Sequence, residues 1–296
     1  MAAIKEHKRL EVGTLIAPAT ILITIMFLLP LVYFLRTSFN KNVSGGSMEP
    51  AWTFESYAEF FADPYFLSIL WNTVYISLAA TLLSFVLAFP IAYKLARMTS
   101  KWKIVLIAMV VFPLLVGNIV RDIGWIALFS QSGLVNQLIT GLGLAESPIQ
   151  ILETPLSVII AISNVVLPYM VISIQAVIER INPALEEAAV DLGASQWMVI
   201  KTILVPLAMP GILAGTLFVF ILSMNAYTTP LVIGGTKVQM MAPALYSQIT
   251  EVSNWPMGSA MAVILIALTL LTSILYLRVI ERSSFGNINA NTEVKG

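Results

Sequence analysis

The sequence predicts an all-α integral membrane protein with six transmembrane helices and both termini in the cytoplasm. Three observations carry this. Apolar runs of about 20 residues, the length a bilayer crossing needs, recur along the 296-residue chain. Hydrophobic residues make up 58% of it and charged residues 11%, against about 25% charged in soluble domains, so the surrounding solvent is lipid. Lys and Arg are also divided unevenly between alternate connecting segments, and only these basic residues choose a side of the membrane.

The six spans fall at about 14–35, 66–93, 104–128, 156–178, 207–233 and 258–280, within one transmembrane domain covering 1–296. Lys5, Lys8 and Arg9 precede the first span, as in a signal peptide. Its apolar stretch, however, exceeds the roughly 7–15 residues of a signal core, and no small-residue cleavage site follows it, so it is read as a span. With the N-terminus inside, 12 basic residues lie inside, among them Lys94, Arg97, Lys101, Lys103, Arg180, Lys201, Arg278, Arg282 and Lys295, and four lie outside, Arg36, Lys41, Arg121 and Lys237. The acids divide evenly between the two sides.

Composition also removes several functions. The chain has no cysteine, which excludes disulfides, thiolate metal sites and thiol catalysis. Its one histidine, His7, lies in a polar N-terminal segment and reads as a surface residue. The zero net charge argues against a broadly basic nucleic-acid binder. Two long extracytoplasmic segments remain, 36–65 with Trp52, Phe54, Tyr57, Phe60 and Phe61, and 129–155 with Gly133, Gly141, Gly143, Pro148 and Pro155. The aromatics suit an interfacial belt. Pro18, Pro30, Pro90, Pro113, Pro168, Pro210 and Pro230 fall in or at the ends of spans, where each can break a helix and free a carbonyl. So many suit a bundle that lines a changing cavity.

The segment 179–206, between the fourth and fifth spans, differs from the other connections. Asn182 and Pro183 give a helix start, with Asn182 as N-cap. Leu185, Ala188, Ala189 and Leu192 then share one face. Gly193 ends the helix and Ser195 can cap the next. The two alanines allow close approach of another backbone. Glu187 and Asp191 are like charges at i, i+4, which a cationic partner would relieve.

This stretch resembles the EAA loop of ABC importer permeases: Glu-Ala-Ala, three residues, Gly, nine residues, then Ile-x-Leu-Pro. Glu187, Ala188, Ala189, Gly193, Ile203 and Pro206 stand at that spacing, and Val205 replaces the leucine. With the six-span layout, the resemblance extends over essentially the whole chain and implies the type I importer fold in a bacterial inner (cytoplasmic) membrane. It implies that the loop forms a coupling helix docked on a cytoplasmic ATPase dimer. Glu187 would face the ATPase beside Asp191, Ala188 and Ala189 would form the close-packing face, and Gly193 the bend. The other implied partners are a second permease subunit, making a heterodimer, and an extracytoplasmic substrate-binding protein. ATP and Mg would be bound by the ATPase. This chain has no G-x-x-x-x-G-K-[ST] loop, so no cofactor is expected in it and it is expected not to be an enzyme.

Within that family, spermidine/putrescine-type permeases are similar in the stretch from Asn118 to Asn136, in Leu192-Gly-Ala-Ser, from Pro206 to Gly215, at Gly234-Gly235, and in Asn254-Trp-Pro-Met-Gly. The resemblance implies a small organic solute, with a polyamine as one candidate. Polyamine permeases often carry a carboxylate just before the Gly-Gly of span five, whereas 225–233 has none here. A dication would then find no fixed counter-charge in this subunit.

Candidate path residues come from polar groups in apolar surroundings. Asn225, Tyr227 and Thr228, with Thr229 and the helix breaker Pro230, suit either a translocation path or interhelical hydrogen bonding. Asn164 and Tyr169, flanking Pro168, are similar. Arg121 and Asp122 form an ionisable pair near the outer end of span three, suited to function or to reaching the interface. The alternative is a self-sufficient secondary transporter or channel, which would normally place ionisable groups mid-span. A membrane-embedded enzyme would need paired ligands or an activated nucleophile.

Overall fold

The computed structural model describes residues 2–43 and 46–292, and side chains over 17–43 and 46–278. The side chains of Lys5, His7, Lys8, Arg9 and Arg282, and the whole of Lys295, lie outside the described residues. In chain order the elements are α1 (Ala2–Thr37), β1 (Lys41–Val43), β2 (Ser47–Glu49), α2 (Glu55–Ala62), α3 (Pro64–Arg97), α4 (Trp102–Leu115), α5 (Asn118–Phe129), α6 (Leu134–Gly141), α7 (Pro155–Ile178), α8 (Ala184–Asp191), α9 (Gln196–Val199), α10 (Val205–Met224), α11 (Met241–Thr250) and α12 (Trp255–Thr292). Two π-helical turns interrupt the series, Ile200–Leu204 between α9 and α10 and Pro230–Gly234 after α10.

The chain forms two compact units. The first comprises residues 1–64 and 245–266. In it β1 and β2 pair antiparallel, Asn42 opposite Met48. Arg36 lies 4.4 Å over the Trp52 ring and donates to Asn40 Oδ1 at 2.6 Å and to the Ala51 carbonyl at 3.0 Å. The aromatics of 36–65 are not all a surface belt. Phe39 packs on Trp52, Phe54 and Tyr57, and Phe60 is buried.

The second unit comprises residues 65–244 and 267–296, and its core is the contact of α3, α7 and α10. Small residues bring the helices together. Ala80 and Ser84 of α3 meet Ser163 of α7, whose hydroxyl lies 3.2 Å from the Ala80 carbonyl, while Ser84 donates to the Ser163 carbonyl at 3.3 Å. On α10, Gly211 and Gly215 form a Gly-x-x-x-Gly face against α7. A methyl group built on Gly211 would stand 2.8 Å from the Ser173 carbonyl oxygen. Van der Waals packing between closely approaching backbones holds such pairs in lipid, where burial alone does not drive association.

Among the described residues, five helices are long and apolar enough to cross a bilayer: Ala17–Thr37, Pro64–Arg97, Pro155–Ile178, Gln196–Met224 and Trp255–Arg278. The expected third span, 104–128, is not one straight helix. Trp102–Leu115 and Asn118–Gly141 pass as a pair bent by 98°. The helix runs two residues past Pro113, whose ring weakens the turn before it, and breaks at extended Val116 and at Gly117, a weak helix former. The expected fifth span, 207–233, is also redrawn. Its helix starts at Gln196 and stops at Met224. A π turn just before Pro206 loosens the ladder where the proline ring would strike a carbonyl. At the far end, Pro230 would strike the Ala226 carbonyl in a continuing helix. The chain instead stops, turns through 225–227 and restarts at Thr228.

Candidate functional site

Both helix breaks meet at one cavity. Arg121, Tyr169, Asn225, Tyr227 and Thr228 line a space of about 330 Å³, completed by Asn118, Thr229 and apolar side chains such as Ile162 and Leu222. Asn164, grouped with them in the sequence, is elsewhere. It lines a separate pocket of about 520 Å³ with Pro90, Lys94, Pro113 and Pro168. Tyr169 is set edge-on against Phe218 of α10, ring centres 5.4 Å apart. Asn225 uses one amide hydrogen at 2.8 Å on the Ile221 carbonyl, which also accepts from the Asn225 backbone N–H at 3.3 Å at the end of α10.

The sequence grouped Arg121 with Asp122, and the structure separates them. Consecutive helical positions point about 100° apart. Arg121 turns to the break, donating from Nη1 to the Pro113 carbonyl at 3.0 Å and from Nη2 to Asn118 Oδ1 at 2.7 Å. It therefore adds a second donor to a carbonyl that already accepts from the Val116 N–H at 3.3 Å, and ties α5 across the bend. Its Nε is buried without a hydrogen-bond partner. Asp122 turns into the core and is fully buried. The Thr229 hydroxyl faces its two carboxylate oxygens at 3.1 and 3.3 Å. Segment 225–233 carries no acid. The fold instead brings the Asp122 carboxylate from span three against Thr229, behind the cavity wall. No sequence spacing announces that contact, because 107 positions separate the two residues.

The loop between α7 and α10 is the second site. The α8 helix begins at Ala184, one residue later than the sequence suggests, and Asn182 Oδ1 accepts from the Ala184 N–H at 3.1 Å. Gly193, at φ +89°, takes the left-handed conformation that ends the helix, and the Ala194 N–H reaches the Ala189 carbonyl at 3.0 Å. Ser195 caps α9 through the Met198 N–H. Glu187, Ala188 and Asp191 are exposed and Ala189 is half-buried. Leu185, Val190, Leu192 and Trp197 also stand exposed, Leu192 at 89%.

Glu186, which sequence reasoning passed over, is the anchored acid. Its side chain is 13% exposed; Oε1 accepts from Arg97 Nε at 2.7 Å and lies 2.5 Å from Nη2 as an ion pair, and Oε2 accepts from the Tyr93 hydroxyl at 2.9 Å. The one sequence signal was a double acid at the helix start, where the first carboxylate suits the N-terminal turn. Nearby, Glu179 accepts from Gln175 Nε2 at 3.0 Å and pairs with Lys103 at 2.8 Å. These two contacts, the Gln175 hydrogen bond foremost, hold its carboxyl below the usual glutamate range.

Residues 66–284 match the profile of the family described as binding-protein-dependent transport system inner membrane component. The chain belongs to this family. It is a multi-pass inner-membrane permease of a binding-protein-dependent ABC importer. Among relatives, the spermidine/putrescine transport system permease protein PotB of Escherichia coli K12 is 31% identical over 84% of this permease and 90% of its own length. PotB of Haemophilus influenzae is 31% identical over 76% and 79%. The fold matches a crystal structure of a bacterial ABC transporter involved in the import of the acidic polysaccharide alginate, with TM-score 0.77, 19% identity, and coverage of 95% of the permease and 99% of that chain.

Proposed function

We propose that the permease forms half of a translocation path for a small organic solute and is driven through its 179–206 loop by a separate ATPase dimer. The observation that carries this is the α8 surface. Glu187 and Asp191 face outward beside exposed Leu185, Val190 and Leu192, while Ala188 and Ala189 leave room for a close approach. Gly193 sets the bend after them. Such a surface suits a basic, partly apolar cleft on another protein. The loop and both termini then lie in the cytoplasm, as the basic-residue count favours, and 36–65 and 129–155 face outward. ATP and Mg are held by the ATPase, not by this chain.

The remaining partners are a second, different permease and an extracytoplasmic substrate-binding protein. Arg121, Tyr169, Asn225, Tyr227 and Thr228 contact the solute in passing. Asn164 lines the path only if its separate pocket joins the cavity in another state of the cycle. The PotB relatives favour a polyamine. A polyamine would draw its counter-charge from Asp122, once Thr229 turns aside, or from the second permease. Native mass spectrometry should show two permeases with two ATPases. Uptake into vesicles, with the binding protein and a panel of solutes, should require ATP and favour polyamines. A transport-competent lone monomer would overturn the assignment.

A further inference from the structure

We propose that Arg97, supported by Tyr93, is a positioning residue that joins the loop helix α8 to the membrane-long helix α3, so that displacement of the loop is delivered to α3. This rests on the ATPase-docking reading of the loop. The two adjacent acids of α8 are used in opposite ways. Glu187 is exposed, whereas both oxygens of Glu186 are taken by α3. The same guanidinium also donates from Nη1 to the Ile181 carbonyl at 3.0 Å. Arg97 therefore grips the chain on both sides of the turn that leads into α8. No residue of α8 is buried, so this polar grip is its firmest tie to the bundle.

Arginine suits this role. Its planar fork fixes direction as well as distance, which a lysine ammonium does not. At the other end of the connection, α3 is 34 residues of helix that continues through Pro90, about 51 Å long, enough to cross the whole membrane. It is bonded to α7 through Ser84 and Ser163, and its Thr73 hydroxyl accepts from the Met241 N–H at 2.8 Å. A push on Glu186 thus reaches a rod tied at mid-length and near its far end.

The test uses the assembled complex in vesicles and reads three quantities for each variant: ATPase retained on purification, ATP hydrolysis, and solute uptake per ATP. In Arg97→Gln the ATPase should remain bound while uptake per ATP falls about tenfold, the effect of losing one charge-assisted contact. Arg97→Lys should recover only part of this. The exchange Arg97→Glu with Glu186→Arg should recover more than either single change. Unchanged uptake per ATP in Arg97→Gln overturns the proposal. So does loss of uptake in step with lost ATPase or lost thermal stability, because that marks a merely structural contact. If Arg97→Gln fails to assemble, Tyr93→Phe decides. A lowered ratio with the ATPase bound supports the strut, and an unchanged ratio overturns it. Failure of the wild-type chain to retain any ATPase would instead sink the docking reading.

Discussion

The Gly-x-x-x-Gly face of α10 allows a prediction with its magnitude taken from the packing. In Gly211→Ala the new methyl would lie 2.8 Å from the Ser173 carbonyl oxygen and 2.7 Å from Val177 Cγ2. The carbonyl belongs to the backbone of α7 and cannot rotate away, so the helices must part by roughly half an ångström to restore ordinary contact. Such overpacking costs about 1–3 kcal/mol, and about 2–3 where, as here, the atom struck is backbone that cannot yield. Replacing a helical glycine by alanine returns about 1 kcal/mol. The net destabilisation should be about 1–2 kcal/mol, a fall in melting temperature of about 2–6 °C. Gly215→Ala is the internal control. Its methyl would meet the Met170 sulfur and Ser173 Cβ at 3.0 Å, and the flexible methionine can yield. Its stability should stay within about 1 kcal/mol of wild type. Thermal unfolding of both variants in one detergent checks this. Gly211→Ala matching wild type, or Gly215→Ala proving the more damaging, would refute the packing argument.

Four further outcomes are expected. Glu187→Lys should lower ATP-dependent uptake and ATPase retention while membrane insertion is unchanged, at a cost of roughly 2–5 kcal/mol for reversing a desolvated contact; equal uptake in reconstituted vesicles would count against coupling there. Tyr227→Ala should change transport rate more than thermal stability, and a large stability loss with proportionate loss of uptake would instead mark a helix–helix contact. Asp122→Ala should cost about 1–3 kcal/mol by leaving the buried Thr229 hydroxyl without its acceptor, whereas Asp122→Asn, which retains an acceptor oxygen, should cost less; equal melting temperatures for the two would show that the bond contributes nothing. Glu179, its carboxyl held below the usual range, stabilises the folded state more when ionised. That contribution is complete above the ordinary glutamate pKa and is lost as pH falls through the lowered folded value. The stability gap between wild type and Glu179→Gln should therefore hold constant across neutral pH and close only in acid, and a gap that closes near neutrality would contradict it.

The apolar spans and the special loop were legible because both rest on local signals. A run of apolar residues and a capped helix with Gly193 at its end need no knowledge of neighbours. The breaks were half legible. Pro113 and Pro230 mark them, yet proline in a lipid-facing helix can kink as readily as stop it. What decides is whether the freed carbonyl finds a partner. At Pro113 the carbonyl keeps the Val116 N–H and gains Arg121 from the next helix, and only the fold shows this. The tie of Asp122 to Thr229, and Glu186 altogether, were missed for the same reason, since each takes its meaning from a residue about 90 or more positions away. Asn136 is the opposite case. In the sequence it stood out only as part of a resemblance. In the fold its amide bridges the Ser130 and Ile149 backbones and so fastens the 129–155 segment.

The π turn at Ile200–Leu204 has a consequence for descent as well as for shape. A π turn holds one residue more than the α ladder on either side of it. Helical positions advance about 100° each, so Gln196–Val199 and α10 lie on two wheels out of phase by one step. A relative whose helix runs without the turn would need a one-residue gap here. An ungapped alignment would assign every side chain on one flank to its neighbour's face. Deleting one residue of the turn would still leave a continuous helix, but the segment that begins at Ser195 would be re-aimed against the span it leads into. Length at this point therefore sets where the loop points.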